Sequence, residues 1–237
     1  CFGFSFLESI FYNYATEGKQ RRFIKTAFTQ YLSPSVINQL LQNPENLKLG
    51  GERRRISIFF SDIENFTSIS EPLQPEQLTD LLNKYLSELS EIILKNGGTI
   101  DKYEGDAIIA FWNAPLDTEN HERKAIETAI ECQKRLKELN SEFVKIAGRP
   151  LATRIGINTG DAVVGNMGSS KRFDYTAFGD SVNLASRLEG LNKDFGTYIL
   201  CTKETALYAK QQGSSIKFRK IAYAKVLGKD KAVPVYS

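Results

Sequence analysis

The sequence is poor in the residues that build metal centres and disulfide frameworks. It has one histidine, His121, one methionine, one tryptophan and three cysteines among 237 residues. A single histidine excludes a histidine-rich metal site, and the scattered cysteines at positions 1, 132 and 201 fit neither a zinc site nor a disulfide framework. A reducing compartment is therefore the expected environment.

Strong net charge and long apolar runs are also missing. A formal net charge of +3 is too weak to indicate nucleic acid, and we expect no nucleic-acid partner. The absence of a Walker A sequence and of G-x-G-x-x-G disfavours P-loop and Rossmann nucleotide sites. The aromatic stretch at residues 1–7 stops at Glu8 and is too short to span a bilayer. It fits two alternatives equally, the last turns of a membrane helix or an apolar helix start that packs on a partner.

Two parts are expected along the chain. Residues 1–48 are predicted to form an N-terminal helical linker, and Gly50-Gly51 belongs to the boundary with a main domain at 49–237. The basic cluster at residues 19–22 is typical of the cytoplasmic side of a membrane, although a solvated helical face explains it too. Since the only methionine is Met167, we expect a fragment or processed product that lacks an upstream sensor and membrane segment. The expected location is cytoplasmic, at the inner face of the cell membrane.

The remaining pattern predicts an α+β fold. The spacing predicts a strand at 56–61, a helix at 74–95, a hairpin of 99–103 with 107–112, and a helix at 122–140. A second hairpin, 152–159 with 162–166, is expected to turn at Gly160-Asp161, before a short helix at 180–191 and strands near Tyr198 and over 216–226. This order indicates a ferredoxin-like βαββαβ sandwich core with an added hairpin and strands, preceded by the helical linker.

Two aspartates are candidates for chemistry. Asp62 follows an apolar strand, and Asp106 lies in the tight turn before another strand. A strand end and a hairpin tip can bring two carboxylates together, and such a pair repels unless a cation lies between them. Hard divalent ions with phosphate ligands suit that arrangement. The alternative is a pair of ordinary turn aspartates.

Asn183 and Arg187 form a second candidate group. They are four residues apart in a predicted helix and therefore share one face. An amide and a guanidinium on one face can hold a ribose oxygen and a phosphate. Taken alone, such a pair is more often a surface or capping pair.

Over about residues 50–237 the sequence closely resembles the catalytic domains of class III adenylyl and guanylyl cyclases. The residues before the domain, 22–37, resemble the linker of membrane-anchored prokaryotic members. The motifs that carry the resemblance occur in the family's order, and they are Glu52-Arg-Arg54, Phe60-Ser-Asp-Ile-Glu-Asn-Phe-Thr67, Lys102-Tyr-Glu-Gly-Asp-Ala107, Arg154-Ile-Gly-Ile-Asn-Thr-Gly160, the segment 173–187 and Pro234-Val-Tyr236.

The resemblance implies an activity and a role for each site residue. ATP would be converted to 3′,5′-cyclic AMP and pyrophosphate at sites shared across a homodimer. Asp62, Asp106 and the carbonyl of Ile63 would hold two Mg²⁺ or Mn²⁺ ions per site. Asn183 would orient the ribose, and Arg187 would offset charge on the α-phosphate.

The resemblance also implies that Lys102 and Thr176 recognise the base. Adenine has an acceptor at N1 and a donor at N6, which suit a lysine that donates and a threonine that can accept. The family's guanylyl members carry a glutamate at the lysine position. Without the resemblance, a surface lysine is the favoured interpretation of Lys102.

One departure concerns the triphosphate. Leu227 stands where members often have a lysine, and Lys229, Lys225, Lys171 or Arg172 are candidate substitutes.

The sequence disfavours three alternatives to an adenylyl cyclase. A guanylyl cyclase is opposed by Lys102. A catalytically degenerate nucleotide-binding dimerisation module is opposed by the complete set Asp62, Asp106, Asn183 and Arg187, and the signature of a diguanylate cyclase is absent.

Overall fold

The structure, a computed structural model of the chain, describes residues 49–224 and 232–237. The linker expected at residues 1–48 therefore lies outside the described residues, as do Lys225, Leu227 and Lys229. Within the described ranges, none of the helices combines the length and the apolar character that a membrane crossing requires.

Strands and helices alternate along the described residues. The strands are β1 (Gly50–Ile63), β2 (Thr99–Glu104), β3 (Ala107–Trp112), β4 (Thr153–Ser169), β5 (Arg172–Phe178), β6 (Ile199–Thr202), β7 (Lys220–Ala224) and β8 (Val233–Tyr236). The helices are α1 (Phe66–Ser70), α2 (Pro75–Lys95), α3 (His121–Ala147), α4 (Asp180–Phe195) and α5 (Lys203–Gln211).

The strands form one mostly antiparallel sheet with the order β2-β3-β1-β4-β6-β8-β7, and β5 pairs with the far end of β4. Only the β4–β6 pair is parallel within the described sheet. The series β1-α2-β2-β3-α3-β4 has the sheet order β4-β1-β3-β2, which confirms the expected ferredoxin-like α+β core.

Residues of β1 alternate between the two faces of the sheet, as the period of a strand requires. Phe59 and Ile63 pack with buried residues of α2 and α3, such as Leu89 and Phe143. Ile56 and Ile58 pack on the other face with Ala185 of α4. Because Asp62 has the parity of Ile56 and Ile58, it belongs to the face that α4 covers.

The hairpin expected around Gly160-Asp161 is wrong. β4 continues through these residues, with Gly160 opposite Ile56 and Asp161 opposite Arg55 of β1, and the chain turns at Ser170-Lys171 into β5. A side chain at Gly160 would overlap the hydroxyl of Ser181. This glycine therefore makes room for α4, and the sequence pattern of a turn glycine is misleading here.

Gly50 and Gly51 are not a linker either. They begin β1 and pair with Asn166 and Gly165 of β4. An added Cβ at Gly165 would overlap the backbone of Gly50, so the glycines let the two strand ends approach closely.

Helix lengths also differ from expectation. α3 continues beyond residue 140 because Phe143 extends its buried face, and it ends at Gly148, whose φ is 72°. α4 runs to Phe195 rather than residue 191. Elements without a clear sequence signal, α1, β5, α5 and β8, were not predicted, and the strand expected over 216–226 begins only at Lys220.

Three contacts fix α4 on β4. The side chain of Asn158 donates to the carbonyl of Ser181 (2.9 Å), and that of Asn192 donates to the carbonyl of Ile155 (2.9 Å). Between them, an added Cβ at Gly156 would overlap the helix backbone at Ala185 and Glu189. The position of α4 therefore depends on the absence of a side chain at residue 156.

We predict that Gly156→Ala destabilises the domain by about 1–3 kcal/mol or more, because the helix must move to admit the methyl group. Gly190→Ala is the matched control, since a Cβ there meets no atom within 4 Å. As an alanine in a helix, it should stabilise by up to about 1 kcal/mol. Urea unfolding measures both. Equal stability of the two variants would contradict the close approach.

Candidate active site

The structure brings Asp62 and Asp106 together. Ser61 of β1 pairs with Ile108 of β3, and continuing that ladder places Asp106, in the β2–β3 turn, beside Ile63. The amide of Ile63 donates to a carboxylate oxygen of Asp106 (3.0 Å). Gly105, with a φ of 64°, allows the tight turn that aims Asp106 back towards β1.

The two carboxylates interact electrostatically. Burial of Asp106, together with the adjoining Asp62 carboxyl, raises the pKa of Asp106 to about 7, although the amide of Ile63 favours the charged form. Two carboxylates in this relation do not ionise together readily unless a cation neutralises them.

The donor set fits a hard divalent cation. Asp62 and Asp106 offer carboxylate oxygens, and Ile63 contributes a backbone carbonyl in the same stretch of chain. Among the described residues there is no cluster of three or more His, Cys, Asp or Glu side chains that could hold a metal by itself. The remaining ligands would therefore come from water or from a substrate's oxygens, as is usual for Mg²⁺.

A second charged pair borders Asp62. Arg154 is the direct partner of Asp62 across the β1–β4 ladder. Its Nε lies 3.1 Å from Oε1 of Glu189 on α4, without the alignment of a hydrogen bond. Burial, with a smaller contribution from Asp62, raises the pKa of Glu189 to about 7, and Arg154 opposes that shift.

Lys102 and Thr176 meet through a residue that sequence reasoning did not single out. The hydroxyl of Thr176 donates to Oδ2 of Asp101 (2.7 Å), and Nζ of Lys102 lies 3.7 Å from Oδ1 of the same carboxylate. The Asp101 side chain is only 2% exposed. Burial raises the pKa of Asp101, and both Thr176 and Lys102 partly offset this.

Asn183 and Arg187 share the exposed face of α4. Leu184, Ala185 and Leu188 form the buried side of the same helix. The expected spacing on one face is therefore present.

The candidate phosphate-binding residues are more dispersed. Lys171 and Arg172 lie exposed at the turn between β4 and β5, where the hydroxyl of Ser169 accepts from both backbone amides (3.3 and 3.2 Å). Arg172 is four residues from Thr176 along β5, which corresponds to about 13 Å. Lys229 lies outside the described residues.

The fold and the paired carboxylates are those of one nucleotide-processing class. The family model for the adenylate and guanylate cyclase catalytic domain matches residues 51–236. The chain belongs to this family, as the sequence motifs predicted.

Relatives and solved structures agree with this. The chain is 40% identical over 210 residues to adenylate cyclase 1 of Rhizobium meliloti (strain 1021), an alignment that covers 88% of this chain and 31% of that protein. The chain thus spans about a third of that relative's length. It is also similar to the adenylyl cyclase CyaB from P. aeruginosa (TM-score 0.72, 40% identity, 79% of this chain and 95% of that chain) and to the guanylyl cyclase Cya2 (TM-score 0.70, 34% identity, 79% and 93%).

Asp101, Arg154 and Glu189 carry little sequence signal. Arg154 begins the motif at 154–160 and Glu189 follows the motif at 173–187, but neither motif indicates a role for them. Their contact arises only because α4 crosses β4. Asp101 precedes Lys102 in a strand of mixed polarity. The one available signal was an adjacent polar pair, Asp101-Lys102, inside an otherwise ordinary strand.

We predict that Asp106→Asn changes the pH dependence of stability in metal-free protein. The pKa of folded Asp106 is about 7, whereas an unfolded aspartate titrates near ~4. The folded state therefore holds this proton more tightly, so the stability that it provides is full below about pH 4 and is lost as the pH rises towards about 7. Asparagine cannot ionise, and the variant should lose less stability over that range.

Urea unfolding in EDTA between about pH 4 and 7.5 tests this. Asp80→Asn, at an exposed position of α2, should follow the wild type. Magnesium added at the upper pH should stabilise the wild type and the control more than Asp106→Asn. Parallel pH profiles of wild type and Asp106→Asn would contradict the shared carboxylate site.

Proposed function

We propose that the domain is an adenylate cyclase that converts ATP into 3′,5′-cyclic AMP and pyrophosphate. The observation that carries the proposal is the shared site of Asp62 and Asp106 in a domain of the cyclase family. The adenylate cyclase names of the Rhizobium relative and of CyaB support the same activity. A degenerate dimerisation module is disfavoured because Asp62, Asp106, Asn183 and Arg187 are all retained.

Asp62, Asp106 and the Ile63 carbonyl would hold two Mg²⁺ or Mn²⁺ ions. When bound, such ions lower the pKa of a coordinated hydroxyl and offset phosphate charge. The burial that raises the pKa of Asp106 keeps this site partly dry, which strengthens its electrostatic interactions.

Asn183 and Arg187 act on the reacting atoms. Asn183 holds the ribose so that its 3′-oxygen faces the α-phosphorus, opposite the bridging oxygen of the leaving pyrophosphate. The new bond joins the 3′-oxygen to the α-phosphorus as the bond to that bridging oxygen breaks, and the proton of the 3′-hydroxyl leaves with the pyrophosphate. Arg187 offsets the negative charge that develops on the α-phosphate oxygens, and a preorganised donor of this kind is worth about 10²–10³ in rate.

Lys102 and Thr176 recognise adenine. The ammonium of Lys102 donates to N1, and the hydroxyl of Thr176 accepts from the N6 amino group. The second candidate activity is guanylyl cyclase, since Cya2 is a guanylyl cyclase of similar fold. Lysine at position 102 opposes it, because guanine presents a proton at N1 where Lys102 also donates.

Lys171, Arg172 and Lys229 are proposed to contact the triphosphate. The first two lie on the exposed β4–β5 turn, where a long cationic side chain has room to reach a ligand. Together they would make the triphosphate contacts that family members often make through a lysine at the position of Leu227.

A homodimer with sites shared between chains completes the proposal. Val163 and Phe178 are direct partners in the β4–β5 ladder, and 44% and 71% of their surfaces are exposed. Side chains of directly opposed residues lie on the same face of a sheet, so this pair forms an apolar patch of the kind that interfaces cover. The basic cluster at residues 19–22 supports a neighbouring membrane segment, with the domain at the inner face of the cell membrane. An upstream sensor is part of the same proposal.

We predict that ATP is cyclised at least about tenfold better than GTP, because both base contacts match adenine and oppose guanine. Product analysis with each nucleotide separately, in magnesium and then in manganese, tests this. Asp106→Ala, which lacks one of the two carboxylates, should remain folded and should give neither cyclic product. Equal or faster turnover of GTP would refute the base assignment, and absence of any cyclic nucleotide would refute the cyclase activity.

We predict that Asp106→Asn and Arg187→Ala, each inactive alone, recover activity when mixed. If each site takes its aspartates from one chain and its arginine from the other, a mixed dimer has one intact site. Random pairing in equal amounts makes half of the dimers mixed, so activity should return to roughly a quarter of wild type.

The matched control is a mixture of Asp62→Asn with Asp106→Asn. Both lesions then fall on the same side of every site, and no mixed dimer has an intact one. Exchange of chains is verified by a tagged pull-down. Absence of recovery in the first mixture, once exchange is shown, would exclude shared sites.

A further inference from the structure

Asp101 occupies an irregular position in β2. Ile100 pairs with Ala110 of β3 and Lys102 pairs with Ile109, which leaves Asp101 as the extra residue of a β-bulge. Bulges redirect side chains and are common beside active sites. Here the bulge accompanies a carboxylate that reaches β5, a strand that the β2–β3 ladder does not include.

The burial of Asp101 is only partly compensated, although the backbone amide of Ala177 also favours the charged carboxylate. Its side chain is 2% exposed, and Oδ1 has no hydrogen-bond partner among the described residues, although Nζ of Lys102 lies 3.7 Å away. A buried charge with incomplete hydrogen bonding is costly. Both side chains that approach the carboxylate, those of Thr176 and Lys102, are the ones assigned to the base.

A threonine hydroxyl does not by itself discriminate adenine from guanine. It has one proton to donate and lone pairs to accept, so it can rotate to meet either a 6-amino group or a 6-oxo group. An ionised carboxylate only accepts. The hydroxyl of Thr176 donates its proton to Oδ2 of Asp101 (2.7 Å). Towards a ligand, this hydroxyl can therefore act only as an acceptor.

We propose that Asp101 is a positioning residue for base selection, which fixes Thr176 as a hydrogen-bond acceptor and holds Lys102 as the neighbouring donor. This rests on the proposed function, because it assumes that Thr176 and Lys102 read the base. A 6-aminopurine then satisfies both groups. A 6-oxopurine meets lone pairs at its oxygen and an ammonium at its protonated N1.

The test compares kcat/KM for ATP and for inosine triphosphate, which has the 6-oxo edge of guanine without the extra amino group. We expect Asp101→Asn to lower the ATP:ITP ratio about tenfold, the equivalent of one hydrogen bond to the base. The amide of asparagine can donate, so the hydroxyl of Thr176 regains its freedom to rotate. Asp101→Ser also removes the obligate acceptor and carries the same expectation if the first variant does not fold.

Thr176→Val tests the assumption separately. It should lower the ratio by a similar factor, and adding Asp101→Asn to Thr176→Val should lower it no further, because Asp101 acts through the hydroxyl. Asp80→Asn should keep the wild-type ratio. In the wild-type protein, purine riboside triphosphate, which lacks the 6-amino group, should be used about tenfold less well than ATP.

The outcomes separate the two proposals. An unchanged ratio in Thr176→Val, or equal use of ATP and purine riboside triphosphate, refutes base recognition by Thr176 and this inference with it. A changed ratio in Thr176→Val with an unchanged ratio in the Asp101 variants refutes only the role of Asp101. If the ATP:ITP ratio falls further in the double variant, or if Asp101→Asn lowers kcat/KM equally for ATP and ITP, Asp101 has a structural role in β2 and the inference is refuted.

Discussion

The carboxyl of Asp62 and the burial of the Asp106 side chain both oppose the ionisation of Asp106. Two such carboxylates stay close together only if the backbone holds them in place. The β1–β3 ladder and the two-residue turn at Gly105-Asp106 supply that constraint, and the amide of Ile63 holds one carboxylate in place (3.0 Å). The electrostatic strain is thus borne by the sheet, and a divalent cation with the phosphates that accompany it would relieve it.

The positions of the other proposed site residues depend on β4. Along one edge this strand pairs with β1, which carries Asp62, and along the other with β6 and β5, which carries Thr176. Its Gly156 and Asn158 hold α4, and with it Asn183 and Arg187, close against the sheet. One long strand therefore sets the distances among groups that come from three other elements, β1, β5 and α4.

Sequence reasoning succeeded where one local rule decided the outcome. The hairpin at Asp106 followed from apolar alternation around a turn, and the shared face of Asn183 and Arg187 followed from helical spacing. It failed where a distant element decided. Gly160 has the sequence signature of a turn, yet its role is to admit Ser181 of α4. The bulge at Asp101 depends on the pairing of β2 with β3 and on β5, and no local pattern records it.

Three carboxyl groups in the described part of the chain have a pKa raised by burial, those of Asp101, Asp106 and Glu189. All three lie beside residues proposed to act on the nucleotide. Asp101 faces the ammonium of Lys102, and Glu189 faces the guanidinium of Arg154, so the chain itself supplies a cation for each. For Asp106 the neighbouring groups are a backbone amide and a second carboxylate, Asp62. Of these three buried carboxylates, Asp106 is thus the one whose charge would be neutralised by a cation from outside the chain. We therefore expect the metal and the triphosphate to bind at the end of β1.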